Sequence, residues 1–165
     1  MNTILGILLP GGETTVSAMP MLGKPCGGHV QAAMIAAGAD TDALAQEELS
    51  ISDFEILLFA ADNTPCLHGL DELVKRAANG PCALVSKTGV PLAFALPACE
   101  LDAFEDDITL PLLMDAYADT LNTTAADCDE DGIAVTDAKR FAAAYQCLRR
   151  RIVENHMANG VIVLD

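Results

Sequence analysis

The sequence has no tryptophan, and aromatic residues make up only 4% of its 165 residues. Alanine and aliphatic side chains must therefore supply most of any core. Hydrophobic residues reach 52% and the mean hydropathy is +0.32, which excludes a disordered chain. A chain of this length and composition predicts one folded domain with one core.

Basic residues are also scarce, since nine Lys and Arg face 24 Asp and Glu, for a net charge of −15. Such a field repels nucleic acid and anionic lipid, because both bind through basic patches. We therefore expect neither a nucleic-acid partner nor a membrane surface. The charge is uneven: residues 1–138 carry −18, whereas residues 139–165 carry +3. The C-terminal segment is thus predicted to form a different kind of surface.

No C-x-x-C pair and no zinc-binding spacing occur among the cysteines. Reduced, buried thiols in a cytoplasmic protein are the expectation for all six of them, Cys26, Cys66, Cys82, Cys99, Cys128 and Cys147. No apolar run reaches the roughly 18 residues of a membrane helix, and the N-terminus lacks the basic region of a signal peptide. These absences favour a cytoplasmic location.

Two aliphatic runs without polar alternation, 3–9 and 54–61, predict fully buried strands. The first ends at Pro10-Gly11-Gly12, and a helical pattern follows at 28–37, as in the opening of a βαβ unit. With a strand at 82–86, these features predict a three-layer α/β sandwich with a mostly parallel, Rossmann-like sheet. The three strands are expected at its centre, helices on both faces, and a ligand crevice at the carboxyl ends of the strands.

The longest predicted helix, 137–158, has one apolar stripe and ends at Asn159-Gly160. The stripe contains Phe141, Tyr145, Leu148, Ile152 and His156, so His156 is expected to be packed. The remaining pattern predicts helices at 43–49, 65–79, 98–104 and 110–121, strands at 92–96, 132–135 and 161–165, a turn at 87–89 and an exposed acidic loop at 122–131.

Two stretches carry a resemblance to a known family: LLPGG…MLGKP…HV at 8–30, and VTDAKRFAAAYQCLRRRIVENHMANGVIVLD at 135–165. Together they resemble the uridylyltransferase domain of the bacterial bifunctional N-acetylglucosamine-1-phosphate uridylyltransferase/acetyltransferases, which belong to the sugar-nucleotide pyrophosphorylases. That family opens with L-A-A-G-x-G-T-R-M and G-K-P, and its catalytic domain ends in V-N-x-R, a helical arm and G-V-x-x-x-D. A weaker match, FAADNTPCL at 59–67, resembles its G-D-x-P-L strand end.

The resemblance implies a reduced nucleotidyltransferase-like domain at 1–135 and a helical arm with a terminal strand at 136–165, with no separate β-helix domain. It also implies a nucleotide or nucleotide-sugar ligand related to UDP-N-acetylglucosamine. Backbone N–H groups of Gly11 and Gly12 and the side chain of Lys24 would bind its phosphates. Mg²⁺ would accompany any bound nucleotide, held by Asp62 and Asp137.

The resemblance is incomplete where the family's chemistry is concentrated. Thr15 stands in place of the family's Arg, and Met21 in place of its Lys. Glu13 adds charge of the wrong sign, Asn63 disturbs the spacing after Asp62, and Thr136 replaces a metal-binding Asn. Each lost charge-assisted contact costs about 1.5–3 kcal/mol, so two lost cations predict a rate lower by roughly three orders of magnitude. We assign no catalytic residue.

Three functions stay open on the sequence. The first is a non-catalytic protein that retains nucleotide or anion binding. The second is a minimal Mg²⁺-dependent nucleotidyltransferase that makes a nucleotide-sugar. The third is a subunit that self-associates or binds a protein partner through the arm at 137–158. Structural roles also stay open, with Asp62 ending a strand, Thr136 or Asp137 capping the long helix, and Lys24 serving as an ordinary loop lysine.

Overall fold

The computed structural model describes residues 3–11, 14–43, 50–101, 107–125 and 132–160, without the side chains of 14, 15 and 125. The strands are β1 Ile4–Leu9, β2 Pro20–Met21, β3 Lys24–Pro25, β4 Ala39–Asp40, β5 Ile56–Ala61, β6 Cys82–Val85, β7 Pro91–Pro97 and β8 Asn122–Ala125. The helices are α1 Thr14–Ser17, α2 Cys26–Ala36, α3 Leu70–Ala77, α4 Leu110–Ala116 and α5 Ala138–Ala158, with 3₁₀ turns at Ile51–Asp53 and Ala98–Glu100.

The main sheet has six strands in the order β4-β1-β5-β7-β6-β8. β1 pairs in parallel with β4 and β5, and β6 pairs in parallel with β8. Among the described strands of this sheet, only β7 runs in the opposite direction, antiparallel to β5 and β6. The prediction of a mostly parallel α/β sheet is therefore confirmed.

β6 lies farther from the centre of the sheet than expected for the strand at 82–86. β7 is inserted between β5 and β6, so β5 and β7 form the centre of the sheet. The reason is the tight turn after β6, where Ser86 accepts from the Gly89 N–H at 2.9 Å and donates its own N–H to Val90 at 2.8 Å. A turn this short returns the chain antiparallel beside the strand that it leaves.

Helices cover both faces of the sheet, which makes the predicted three layers. On one face, Leu58 of β5 lies in a buried cluster with Met34 of α2 and Leu73 of α3. On the other face, Phe59 lies in a cluster with Leu113 of α4. Adjacent residues of β5 thus face opposite layers, as a strand buried on both sides requires.

α5 packs its first half into a third cluster, which also contains residues from the β2–β3 hairpin and the segment after β5. The buried members of this cluster are Met21, Cys26, Cys66, Val135, Ala144, Cys147 and Leu148. The predicted long helix is confirmed, but His156 is exposed rather than packed. Farther along α5, the guanidinium of Arg151 donates to the carbonyl of Cys66 at 2.6 Å.

Other local expectations are corrected. α3 begins at Leu70 rather than at 65, after Gly69 with a positive φ of 80°. Residues 122–125 form the edge strand β8 instead of a loop, and Arg76 of α3 donates to Thr124 there at 2.8 Å. Residues 132–135 are not a strand. α4 ends at Ala116. Of the helix predicted at 98–104, Ala98–Glu100 form a 3₁₀ turn, Leu101 is not helical, and 102–104 lie outside the described residues. The predicted elements over 44–49 and 161–165 lie outside the described residues.

Two further expectations concern the cysteines and the membrane. Cys26, Cys66, Cys82 and Cys147 are buried thiols as predicted, whereas Cys99 is exposed and Cys128 lies outside the described residues. Across the described ranges, no helix is both long and apolar enough to cross a membrane. The division into 1–135 and 136–165 stays a prediction.

Substitution of Phe94 tests which residues form the core. It is fully buried, and its ring centre lies 6.4 Å from that of Phe59 and 5.8 Å from that of Tyr117. Phe94→Ala is expected to lower the free energy of unfolding by about 3–5 kcal/mol, because truncation leaves a cavity. Urea denaturation measures this loss. Val90→Ala, at a 48% exposed position, is the control; equal losses in the two variants would contradict the assigned core.

Candidate functional site

The candidate site lies where β1 and β5 end at the same edge of the sheet. The N–H of Asp62 donates to the carbonyl of Leu9 at 2.9 Å, which continues the pairing of the two strands past their ends. The N–H of Gly11 then donates to Oδ1 of Asp62 at 2.9 Å. The glycine turn and the candidate metal ligand are therefore in direct contact. Gly12 lies outside the described residues.

Asn63 holds this edge together from the buried side. Its side chain is 2% exposed, and Nδ2 donates to the carbonyl of Gly11 at 2.8 Å and to that of Val135 at 3.5 Å. In return, the N–H of Val135 donates to the carbonyl of Asn63 at 2.8 Å. One side chain thus joins three segments: the end of β1, the end of β5 and the approach to α5.

In the sequence, Asn63 appears only as an insertion that disturbs a motif. Its positioning role depends on contacts to residues 52 and 72 positions away, which no local pattern reveals. The one available indication is an amide side chain directly after a fully buried strand. Such a residue is well placed to satisfy backbone groups that the strand leaves unpaired.

Two glycines allow the backbone to approach closely at this edge. A Cβ at Gly11 would overlap the amide group of Asn63. At Gly27, in the first turn of α2, a Cβ would lie 2.6 Å from Oγ of Ser17 and 3.6 Å from the carbonyl oxygen of Asp62. The start of α2 is therefore packed against the residue that contacts the glycine turn.

The negative charge of Asp62 affects the thiol of Cys26 at the start of α2. Burial, and then the negative charge of Asp62, raise the pKa of the Cys26 thiol to about 11. Cys26 is the first residue of α2 and is fully buried. Its thiol therefore stays neutral at physiological pH and acts as packing rather than as a nucleophile.

The two positions of the β2–β3 hairpin that the sequence singled out have opposite environments. Lys24 is exposed on β3, and its register partner Met21 is 1% exposed and belongs to the third cluster. Met21 is the position that the sequence resemblance aligns with a lysine, and here its side chain is part of the core. A ring nitrogen of His29 lies 2.6 Å from the carbonyl oxygen of Met21, which anchors the hairpin to α2.

Asp137 caps α5. Its Oδ1 accepts the N–H of Arg140 at 2.8 Å, and the hydroxyl of Thr136 donates to Oδ2 at 3.5 Å. The hydrogen bond from the Arg140 N–H is the largest of the effects that hold the pKa of Asp137 below its ordinary value. Asp137 follows Val135 by two residues and so lies near the same edge, but its carboxylate already has a structural role.

The carboxylate oxygens at this edge of the sheet are the type of ligand that Mg²⁺ prefers. Within the described ranges, no three or more His, Cys, Asp or Glu side chains group so as to hold a metal ion on their own. Mg²⁺ usually takes only one or two carboxylates and completes its shell with water and substrate phosphates. Asp62, partly exposed beside the glycine turn, is the carboxylate placed for that role.

Among the comparisons with known proteins, the comparison of three-dimensional structures found similar chains, whereas the comparisons of sequence did not. No family model matches the chain, and no curated protein matches it in sequence. A nucleotidyl transferase from Methanothermobacter thermautotroptrophicus superposes with a TM-score of 0.65 and 15% identity, over 91% of this chain and 100% of that one. A CMP:2-keto-3-deoxy-manno-octonic acid synthetase complexed with CTP gives 0.58 and 9%, over 92% and 100%. The 4-diphosphocytidyl-2C-methyl-D-erythritol synthase of Anaerococcus prevotii gives 0.54 and 9%, over 90% and 99%.

These similarities show that the chain has the α/β fold of nucleotidyltransferases. They extend over nearly the whole of each solved chain, so the fold is matched as a whole and not as a fragment. Because the sequence identities are only 9–15%, these similarities show the fold alone.

Asn63→Asp tests the positioning role. The carboxylate cannot donate to the carbonyls of Gly11 and Val135, and it adds a second negative charge beside Asp62. We expect the free energy of unfolding to fall by roughly 1–3 kcal/mol, the usual cost of leaving buried polar groups unpaired. Chemical denaturation measures it. Asn122→Asp, the same change at an exposed position of β8, is the control. Equal effects would show that Asn63 positions nothing.

The cap at Asp137 gives a pH-dependent prediction. Asp137→Ala should lower Tm more than Asp137→Asn, since asparagine keeps an acceptor oxygen. The lowered pKa means that the stabilisation by the carboxylate is present above the unfolded-state pKa, near 4, and is lost as pH falls through the folded-state value. Thermal melts at decreasing pH should therefore show wild type converging on Asp137→Asn. A constant gap across that range would contradict the cap.

Proposed function

We propose that this chain binds a nucleotide through its phosphates at the carboxyl ends of β1 and β5, and that it does not catalyse nucleotidyl transfer. The observation that carries this proposal is the contact between the N–H of Gly11 and the carboxylate of Asp62. An N–H in a glycine turn at the end of a parallel strand is a favourable position for a phosphate oxygen. Here it already binds an anionic oxygen of the chain itself.

The hydrogen bond between the Gly11 N–H and Asp62 affects the affinity of this edge for phosphate. A phosphate that approaches Gly11 meets a carboxylate of the same sign, so binding without a cation is opposed. Mg²⁺ prefers oxygen donors and commonly bridges a carboxylate and a phosphate, which turns this repulsion into attraction. We therefore propose that nucleotide binding requires Mg²⁺, with Asp62 as its protein ligand. Asp137 is the second candidate ligand, although it is engaged as a helix cap.

The proposal against catalysis rests on the supply of positive charge. Transfer of a nucleotidyl group needs cations at the reacting phosphate. Met21 is buried where the resembled family has Lys, and Thr15 stands where it has Arg. No Lys or Arg occurs anywhere between 88 and 138, so that long stretch supplies no replacement. We assign the positive charge at this edge to Lys24 and the proposed Mg²⁺; Lys139 and Arg140, in the first turn of α5, are further exposed cations.

We infer which nucleotide binds from the resemblance of the sequence to the uridylyltransferase family. The LLPGG, GKP and arm motifs favour a uridine nucleotide or UDP-N-acetylglucosamine. The buried thiols and the acidic composition fit a reducing, cytoplasmic location, which we propose as well.

A second candidate is a minimal Mg²⁺-dependent nucleotidyltransferase that makes a nucleotide-sugar. The observation in its favour is the fold, because solved proteins that share it are named as nucleotidyl transferases or nucleotide-sugar synthetases. This candidate uses the same edge and the same carboxylates. It differs from the first in a reaction: a phosphate oxygen of the sugar phosphate attacks the α-phosphate of the nucleoside triphosphate, which forms the nucleotide-sugar and releases the β- and γ-phosphates as pyrophosphate.

Titration calorimetry tests the binding proposal. UTP, CTP, ATP, GTP and UDP-N-acetylglucosamine are titrated into the full chain with and without Mg²⁺. We expect at least one nucleotide to bind about tenfold more tightly with Mg²⁺, equivalent to roughly 1.4 kcal/mol. In Asp62→Asn, both the metal ligand and the competing charge are removed, so the ratio of the two Kd values should fall to about one.

The control is Asp71→Asn, at an exposed position on α3 where the carboxylate pairs with Lys75 at 3.7 Å. This variant should keep the Mg²⁺ dependence. No heat with any nucleotide would refute the proposed binding. Pyrophosphate release from wild type, abolished in Asp62→Asn, would establish the second candidate instead.

A further inference from the structure

The second half of α5 extends from the body with large apolar side chains in solvent. Ile152 is 40% exposed and Met157 is 60% exposed, and every residue from 154 to 160 is exposed. Basic side chains accompany them: Arg149 and Arg150 are exposed, and Arg150 lies 3.8 Å from Glu154 on the same helix. The surface therefore has exposed apolar side chains that follow a run of arginines, on a helix that is anchored to the body by the buried residues Ala144, Cys147 and Leu148.

The complementary surface lies on the same chain. Residues 88–138 contain 12 acidic residues and no Lys or Arg, whereas residues 139–165 carry +3. In the described part of the acidic stretch, Leu112 of α4 is 57% exposed, and Asp115 on the same helix and Asp119 shortly after it are exposed as well. We call this the α4 patch. It has an apolar centre and an acidic rim, the reverse in sign of the end of α5.

Among the described residues, the two surfaces belong to different parts of the fold. α4 packs into the cluster on one face of the sheet, and α5 packs into the separate cluster with the β2–β3 hairpin. Leu112 and Met157 are both exposed. The apolar centre of each surface is therefore accessible to a second molecule.

We propose that a second copy of this chain is the partner, in a two-fold dimer where the end of each α5 lies on the α4 patch of the other copy. A two-fold axis makes the contact twice, so the buried area doubles. That doubling matters because a stable interface needs about 1,200 Å² in total, more than one short helical segment covers. Opposite charges at the rims favour this pairing over α5 against α5, which would bring basic surfaces together.

Sedimentation velocity of the full chain tests the dimer over a roughly hundredfold range of protein concentration. We expect a concentration-dependent dimer that weakens between about 0.1 M and about 1 M salt, as the Debye length shortens from about 10 Å to about 3 Å. Arg150→Glu, Asp115→Arg and Met157→Glu should each raise the dimer Kd by about tenfold or more. All three positions are exposed, so circular dichroism should show an intact fold.

The most direct test is a double variant in which the two charges are exchanged. Arg150→Glu combined with Asp115→Arg restores opposite charges across the interface, and the Kd should return toward the wild-type value. Lys139→Glu makes the same change of charge in the first turn of α5 and should leave the dimer intact. A monomer throughout, a dimer that no variant weakens, or a double variant weaker than either single one would each overturn the proposal.

Discussion

Two side chains after β5 hold the backbone of Gly11 from both sides. Asp62 accepts its N–H and Asn63 donates to its carbonyl. The same Asn63 reaches Val135, two residues before the capping residue of α5. The glycine turn, the candidate metal ligand and the start of the long helix are therefore fixed relative to one another through a single buried amide. Any ligand at this edge meets a pre-organised backbone and not a loose loop.

This arrangement also determines the electrostatics of the edge. The chain provides an anion of its own to the Gly11 N–H, in a molecule with a net charge of −15. A phosphate can compete there only if a cation changes the balance. The proposed metal dependence of binding and the proposed absence of nucleotidyl transfer thus have one common cause, the shortage of positive side chains. The same shortage makes the arginines of α5 distinctive, and on this contrast in charge we base the proposed contact with a second copy of the chain.

Much of the fold could be predicted from local pattern. The runs at 3–9 and 54–61 are aliphatic because strands buried on both faces have no polar side, and both are strands of the observed sheet. β8 could not be predicted, because its NTTA sequence resembles an exposed loop and becomes a strand only through pairing with β6. The central place of β7 likewise depends on pairing with β5, far away along the chain.

At the candidate site, the sequence predicted that Gly11 and Asp62 lie together, since parallel strands end at one edge of the sheet. It missed Asn63, whose partners are distant in sequence. It also left open whether Asp137 caps α5, which hydrogen-bond geometry shows that it does. The exposure of His156 was wrongly predicted because a helical stripe does not reveal where the body beneath it ends.

The central claim is that the Gly11 N–H exchanges its carboxylate partner for a nucleotide phosphate when Mg²⁺ is present. NMR of the ¹⁵N-labelled chain observes that N–H directly. The account predicts a large shift of the Gly11 amide signal on addition of UTP with Mg²⁺, and little shift with UTP or with Mg²⁺ alone. An unmoved Gly11 signal under saturating nucleotide and metal, while signals elsewhere shift, would contradict it and place the ligand at another site.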